Sequence, residues 1–152
     1  MDYWKSSPKF DASSPEARAL LPFFTEAATI MQYTQGVPEQ FLSRIDPTAY
    51  TLDSSLLQRT GQDIIQLSLF FDYRTNVEAY ASWHEYFRKE SPPLLAIWGK
   101  NDPIFLPEGA EAFKRDLKDA EVRFVDSGHF ALETHVEEYG KKIDEFLTKV
   151  LD

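Results

Sequence analysis

The chain has 152 residues, of which 43% are hydrophobic and none is cysteine, with 16 Lys+Arg set against 25 Asp+Glu for a net charge of −9. This composition suits one domain with a real core and excludes a disordered chain, disulfides and thiolate sites. The acidic balance argues against nucleic acid and anionic membranes as partners.

The opening MDYWKSSPKF lacks the apolar core of a signal peptide, and no apolar run approaches membrane-spanning length. A cytoplasmic protein is expected. Met1 to Ser13 is polar with scattered aromatics and reads as a loop or a short helical turn. Ser14-Pro15-Glu16 is a helix start: a capping serine, proline at the first helical position and an acid in the first turn. Pro22 interrupts, so the pattern predicts one short helix to Leu21 and a second from Pro22 to about Gln35, with Phe24, Ala27, Ala28 and Met31 as its stripe and Gly36 as its stop.

Val37 to Ser55 reads as mixed, with a helical turn from Pro38, a turn at Asp46-Pro47, and Asp53 capping a turn that contains Leu56 and Leu57. From Gly61 the residues Ile64, Ile65, Leu67, Leu69, Phe70 and Phe71 predict a very apolar helix. A break follows at Asp72 to Asn76, and Val77, Tyr80, Trp83 and Phe87 then recur at helical spacing.

Pro92 to His135 organises the rest. Leu94 to Trp98 is a short continuous apolar run between a proline pair and Gly99, as in a strand buried on both faces. Pro107 opens a helix whose Ala110, Phe113 and Leu117 share a face, and Val122 to Val125 is a second strand. Strand, helix, strand is a βαβ unit with parallel strands and a right-handed crossover. Asp102 lies just past the first strand and His129 just past the second, so both open at the carboxyl edge, where α/β sheets place ligands. There the carboxylate can hold one ring nitrogen and leave the other to take a proton. The last helix runs from about Thr134 to Val150, with Val136, Tyr139, Ile143, Phe146, Leu147 and Val150 on one face.

The ordered pair Trp98-Gly99-Lys100-Asn101-Asp102-Pro103 and Asp126-Ser127-Gly128-His129-Phe130 resembles the last two core strands of α/β-hydrolases. The resemblance covers Asn76 to Leu151 well. It extends more weakly over Met1 to Tyr73, which looks like the helical cap of epoxide-hydrolase-like and haloalkane-dehalogenase-like members. It implies an α/β fold, a partial α/β-hydrolase: a helical cap segment over 1–73, then a βαβα unit over 74–152 with two parallel strands, the carboxyl-terminal part of the core.

The family's nucleophile sits on a Gly-x-Ser-x-Gly elbow, or its Asp equivalent, between a strand and a helix. No serine of this chain lies in such a frame. The chain thus looks like the carboxyl half of a hydrolase. A complete member would hydrolyse a small apolar ester, epoxide or alkyl halide, with His129 as general base, Asp102 as its orienting acid and the nucleophile from residues absent here. The rival reading is a non-catalytic truncated remnant acting as a binding or oligomerisation module.

Each residue also has a plain reading. Asn101-Asp102-Pro103 is a good turn whatever its function. Asp126 is too near His129 in sequence to sit on the neighbouring loop and reads as a loop or strand-end residue. Gly128 reads as the residue that allows a sharp turn lifting the His129 ring. His135 and His84 read as solvated. Phe70, Phe71, Tyr73, Phe105 and Phe130 are candidates to line a substrate cavity, although such aromatics more often belong to a core. No metal or cofactor is expected, since no His and carboxylate spacing matches a ligand pattern. Two strands leave open sheet edges, so a homo-oligomer through an edge or the cap helices is expected.

Overall fold

The structure, a computed structural model, describes residues 9–151. The expectation for Met1 to Pro8 lies outside them. By contacts the chain divides into two units. One holds the described residues up to Ile30 together with Pro47–Trp83; the other holds Met31–Asp46 and the described residues from His84 onward.

The first unit is helical. Ser14 caps α1 (Pro15–Arg18), its hydroxyl accepting from the Ala17 amide. The helix is shorter than its pattern suggests, because Pro22 has no amide proton to extend it, and a 3-10 turn, Leu21–Phe24, follows. Thr25 restarts the chain: its hydroxyl accepts from the Ala28 amide at the head of α2 (Glu26–Thr34). The sequence pattern gives no sign of α4 (Pro47–Leu57), which follows in the chain α3 (Glu39–Leu42), a helix of the second unit. Pro47 is not merely part of a turn; it occupies the first helical position, where its missing N–H costs nothing. Gly61, with φ of 83°, precedes α5 (Gln62–Asp72). A single residue, Tyr73, separates it from α6 (Arg74–Glu90). The core of this unit gathers Ala17 and Leu20 of the first turns with Leu67 and Phe71 of α5.

The second unit carries the sheet. Strands β1 (Leu95–Gly99) and β2 (Glu121–Val125) are parallel and in register from Leu95 opposite Glu121 to Gly99 opposite Val125. They form a two-stranded sheet among the described residues. Between them lies α7 (Pro107–Ala112), opened by its proline, and α8 (Ala131–Leu151) follows. Both helices pack on β1. Only Ala96 and Gly99 of β1 are fully buried, less than the expected two-faced burial. α8 begins three residues before the predicted Thr134 and bends at His135, whose φ of −132° and ψ of 34° are not helical. No described helix is long and apolar enough to cross a membrane.

Candidate active site

Because β1 and β2 run in parallel, their carboxyl ends meet on one edge, and the loops beyond them bring Asp102 and His129 together. Asp102 is 5% exposed, and a carboxylate so buried needs partners for its lone pairs. It has three. Oδ1 accepts the amides of Ile104 at 2.8 Å and Phe105 at 3.0 Å, closing an Asx turn. Oδ2 lies 2.9 Å from His129 Nδ1. Asp102 is therefore both a turn former and the partner of a histidine, one oxygen for each task. An ionised carboxylate can only accept, so His129 Nδ1 donates, which leaves the neutral ring with its lone pair on Nε2. Among the described residues no hydrogen bond occupies Nε2.

The His129 loop is held tightly. The Ser127 carbonyl accepts the Asn101 amide at 3.0 Å, and Lys100 N donates to Val125 O at 2.9 Å. Gly128 does not adopt a left-handed φ, so a sharp turn is not the reason for glycine here. What demands it is space, since a Cβ at this position would sit 2.0 Å from the Gln35 carbonyl oxygen. Asp126 turns to Lys100 at 3.1 Å and to Asn101 at 3.0 Å. The Lys100 hydrogen bond, then that of Asn101, hold its carboxyl below the usual range against a smaller opposing effect of burial.

A cleft of about 180 Å³ opens beside the pair, lined by Ile97, Trp98, Gly99, Asp102, Phe105, His129 and Tyr139. Phe105 and Phe130 each meet the His129 ring edge to face, at 5.0 and 4.9 Å. Phe130 also stacks on Tyr33 at 4.2 Å. Tyr139 enters the cleft from α8, unforeseen in sequence beyond its place on the apolar stripe; a hydroxyl on that stripe was the available signal. Its phenol donates to the Ile97 carbonyl at 3.3 Å. Burial, then the charges of Glu138 and Asp102, push it up to about 12, so it stays neutral.

A family model described as the alpha/beta hydrolase fold matches residues 13–136. The chain belongs to the α/β-hydrolase fold family. It is also 44% identical over 136 residues to an uncharacterized hydrolase of Saccharomyces cerevisiae. That match covers 89% of this chain and 45% of the relative, so the chain spans about half the relative's length. No solved structure matches.

Within this α/β-hydrolase chain the remaining candidates fall elsewhere. Phe70, Phe71 and Tyr73 belong to the first unit. There Phe71 is buried in the core, Phe70 lies 5.8 Å from Phe24, and the Tyr73 and Tyr80 hydroxyls share a hydrogen bond of 2.5 Å. His135 is not solvated, as its place near a helix start suggests, but 7% exposed, because α8 begins earlier and turns this ring inward against Phe41. His84 is exposed as expected, yet it also bonds Asp116. Among the described residues no three His, Cys, Asp or Glu side chains group closely enough to hold a metal ion.

Proposed function

We propose that this chain supplies the acid–base pair of a hydrolase. His129 takes a proton through Nε2 from a nucleophile or a water, and Asp102 holds the ring's tautomer and stabilises the imidazolium that forms. The observation that carries the reading is the 2.9 Å contact between Asp102 Oδ2 and His129 Nδ1, with Nε2 unbonded among the described residues beside a cleft. The cleft's walls of Ile97, Trp98 and Phe105 suit a small apolar substrate: an ester, an epoxide or an alkyl halide. The nucleophile comes from residues that this sequence does not contain. The name of the yeast relative, a hydrolase, supports the same class.

The missing elbow favours a second reading, a binding or oligomerisation module without turnover. Complementation separates the two. The chain is mixed or co-expressed with the portion of the yeast relative that it does not match, and assayed on an activated ester, a styrene-type epoxide and a haloalkane. Alone, it is expected to give no turnover above buffer, since losing a triad nucleophile costs on the order of 10⁶ in rate. Complemented turnover that is lost in His129→Gln supports the hydrolase; complemented turnover untouched by that substitution overturns the role of His129.

A further inference from the structure

Behind the His129 loop lies a buried polar chain that the proposed chemistry does not use. Ser127 is 0% exposed, Thr134 2% and His135 7%. The Thr134 hydroxyl lies 2.7 Å from Ser127 Oγ, 3.2 Å from the Ala131 carbonyl and 2.8 Å from His135 Nδ1. A hydroxyl has one proton and two lone pairs. One arrangement alone makes all three bonds: Thr134 donates to Ala131, while Ser127 Oγ–H and His135 Nδ1–H both donate to Thr134. The imidazole is therefore a donor here, and Thr134 is saturated.

The flanking contacts fix this chain in place. Arg44 donates to the Thr134 carbonyl at 2.9 Å and lies over the Phe41 ring at 4.6 Å. Phe41 meets the His135 ring edge to face at 4.9 Å. The bend of α8 at His135 is what turns the Thr134 and His135 side chains to the same buried place.

The bond between Ser127 and Thr134 joins two residues seven positions apart, and His129 lies between them. One end of that segment is already tied to the β1 loop, through Asn101 N to Ser127 O. The other end is the first turn of α8. Three buried polar groups cost desolvation that an apolar trio would not, so their use is the placement they enforce. We propose that Thr134 is a positioning residue for His129, acting through Ser127, and that buried His135 holds Thr134 in that role. The inference rests on His129 being the base, and it deepens that reading by naming what keeps the base against Asp102.

The test reads the proton between His129 Nδ1 and Asp102 by NMR in the whole ¹⁵N-labelled chain. Thr134→Val keeps the shape and removes the hydroxyl; Thr134→Ser keeps the hydroxyl. In Thr134→Val that proton is expected to exchange with solvent roughly five- to tenfold faster, the scale of one lost hydrogen bond. The amides of Ala96 and Phe124 in the sheet are expected to keep their rates, and Thr134→Ser to restore the His129 proton. Unchanged exchange in Thr134→Val overturns the proposal. So does faster exchange shared equally by the sheet amides, which marks a general loss of stability. Should Thr134→Val fail to fold, Ser127→Ala takes its place: faster exchange at His129 alone supports the proposal, and unchanged or uniformly faster exchange overturns it. No turnover enters the measurement, so its failure is distinct from a failure of the hydrolase reading.

Discussion

Gly99 and Gly128 touch backbone to backbone: a Cβ built on Gly99 would lie 2.0 Å from the Gly128 carbonyl oxygen. The loops that carry Asp102 and His129 thus approach more closely than any side chain allows. Gly128 is pressed in turn on the Gln35 carbonyl, so three backbone segments of one unit converge behind the pair.

Gly99→Ala and Gly128→Ala are each expected to destabilise the chain by about 1–3 kcal/mol, the usual cost of overpacking where backbone must move. Urea unfolding measures it. Gly140→Ala serves as the contrast. It lies within α8 with nothing within 4 Å of a built Cβ, so alanine there is expected to stabilise by about 0.5–1 kcal/mol. Equal effects at Gly128 and Gly140 would refute the close approach as the reason for glycine.

Ser91 holds a left-handed φ of 45° just past the end of α6, its amide donating to the Phe87 carbonyl at 3.0 Å. Glycine adopts that conformation without the clash of a Cβ. Ser91→Gly is expected to raise stability by about 0.5–1 kcal/mol net of the extra chain entropy glycine loses. A lower midpoint in urea would show that the serine side chain itself secures this turn.

Much of the site is legible in the residues alone. The apolar run between Pro92-Pro93 and Gly99 marks β1 to within one residue, and parallel geometry requires Asp102 and His129 to share an edge. Their contact follows. What escapes the sequence is what tertiary packing decides. Helix α4 is masked by Thr48, Thr51, Asp53, Ser54 and Ser55, weak helix formers, and by Leu52 and Leu56, which stay exposed and so blur the stripe. The burial of His135 depends on a bend that no periodicity encodes. The need for glycine at position 128 is a collision with Gln35, a residue distant in the chain.

His84 and Arg88 of α6 both bond the Asp116 carboxylate. The His84 bond holds it below its ordinary value of 3.8, Arg88 adds to this, and partial burial opposes them. A folded-state value below the unfolded one contributes stability that is fully present above the unfolded value and is lost as pH falls through the folded one. Asp116→Asn is therefore expected to be less stable than the parent near neutral pH, and the gap to close as pH falls below 3.8 and through the lowered folded-state value. Urea midpoints across that range check it; a gap independent of pH would assign the loss to packing.

Large apolar side chains lie open to solvent in both units, among them Leu69 at 59% and Leu106 at 59% exposed. A two-stranded parallel sheet is also marginal in water. Concentration-dependent self-association is the expected outcome in sedimentation velocity. A monomer at every concentration, with one sharp unfolding transition, would contradict it.

In the proposed chemistry Asp102 fixes His129 with its proton on Nδ1 and leaves Nε2 as the base. The ¹⁵N shifts of the neutral ring in the labelled chain measure this directly. Nδ1 is expected to be protonated and Nε2 bare in the parent, with that preference lost in Asp102→Ala. A neutral ring carrying its proton on Nε2 in the parent chain, or one unmoved by Asp102→Ala, would contradict it.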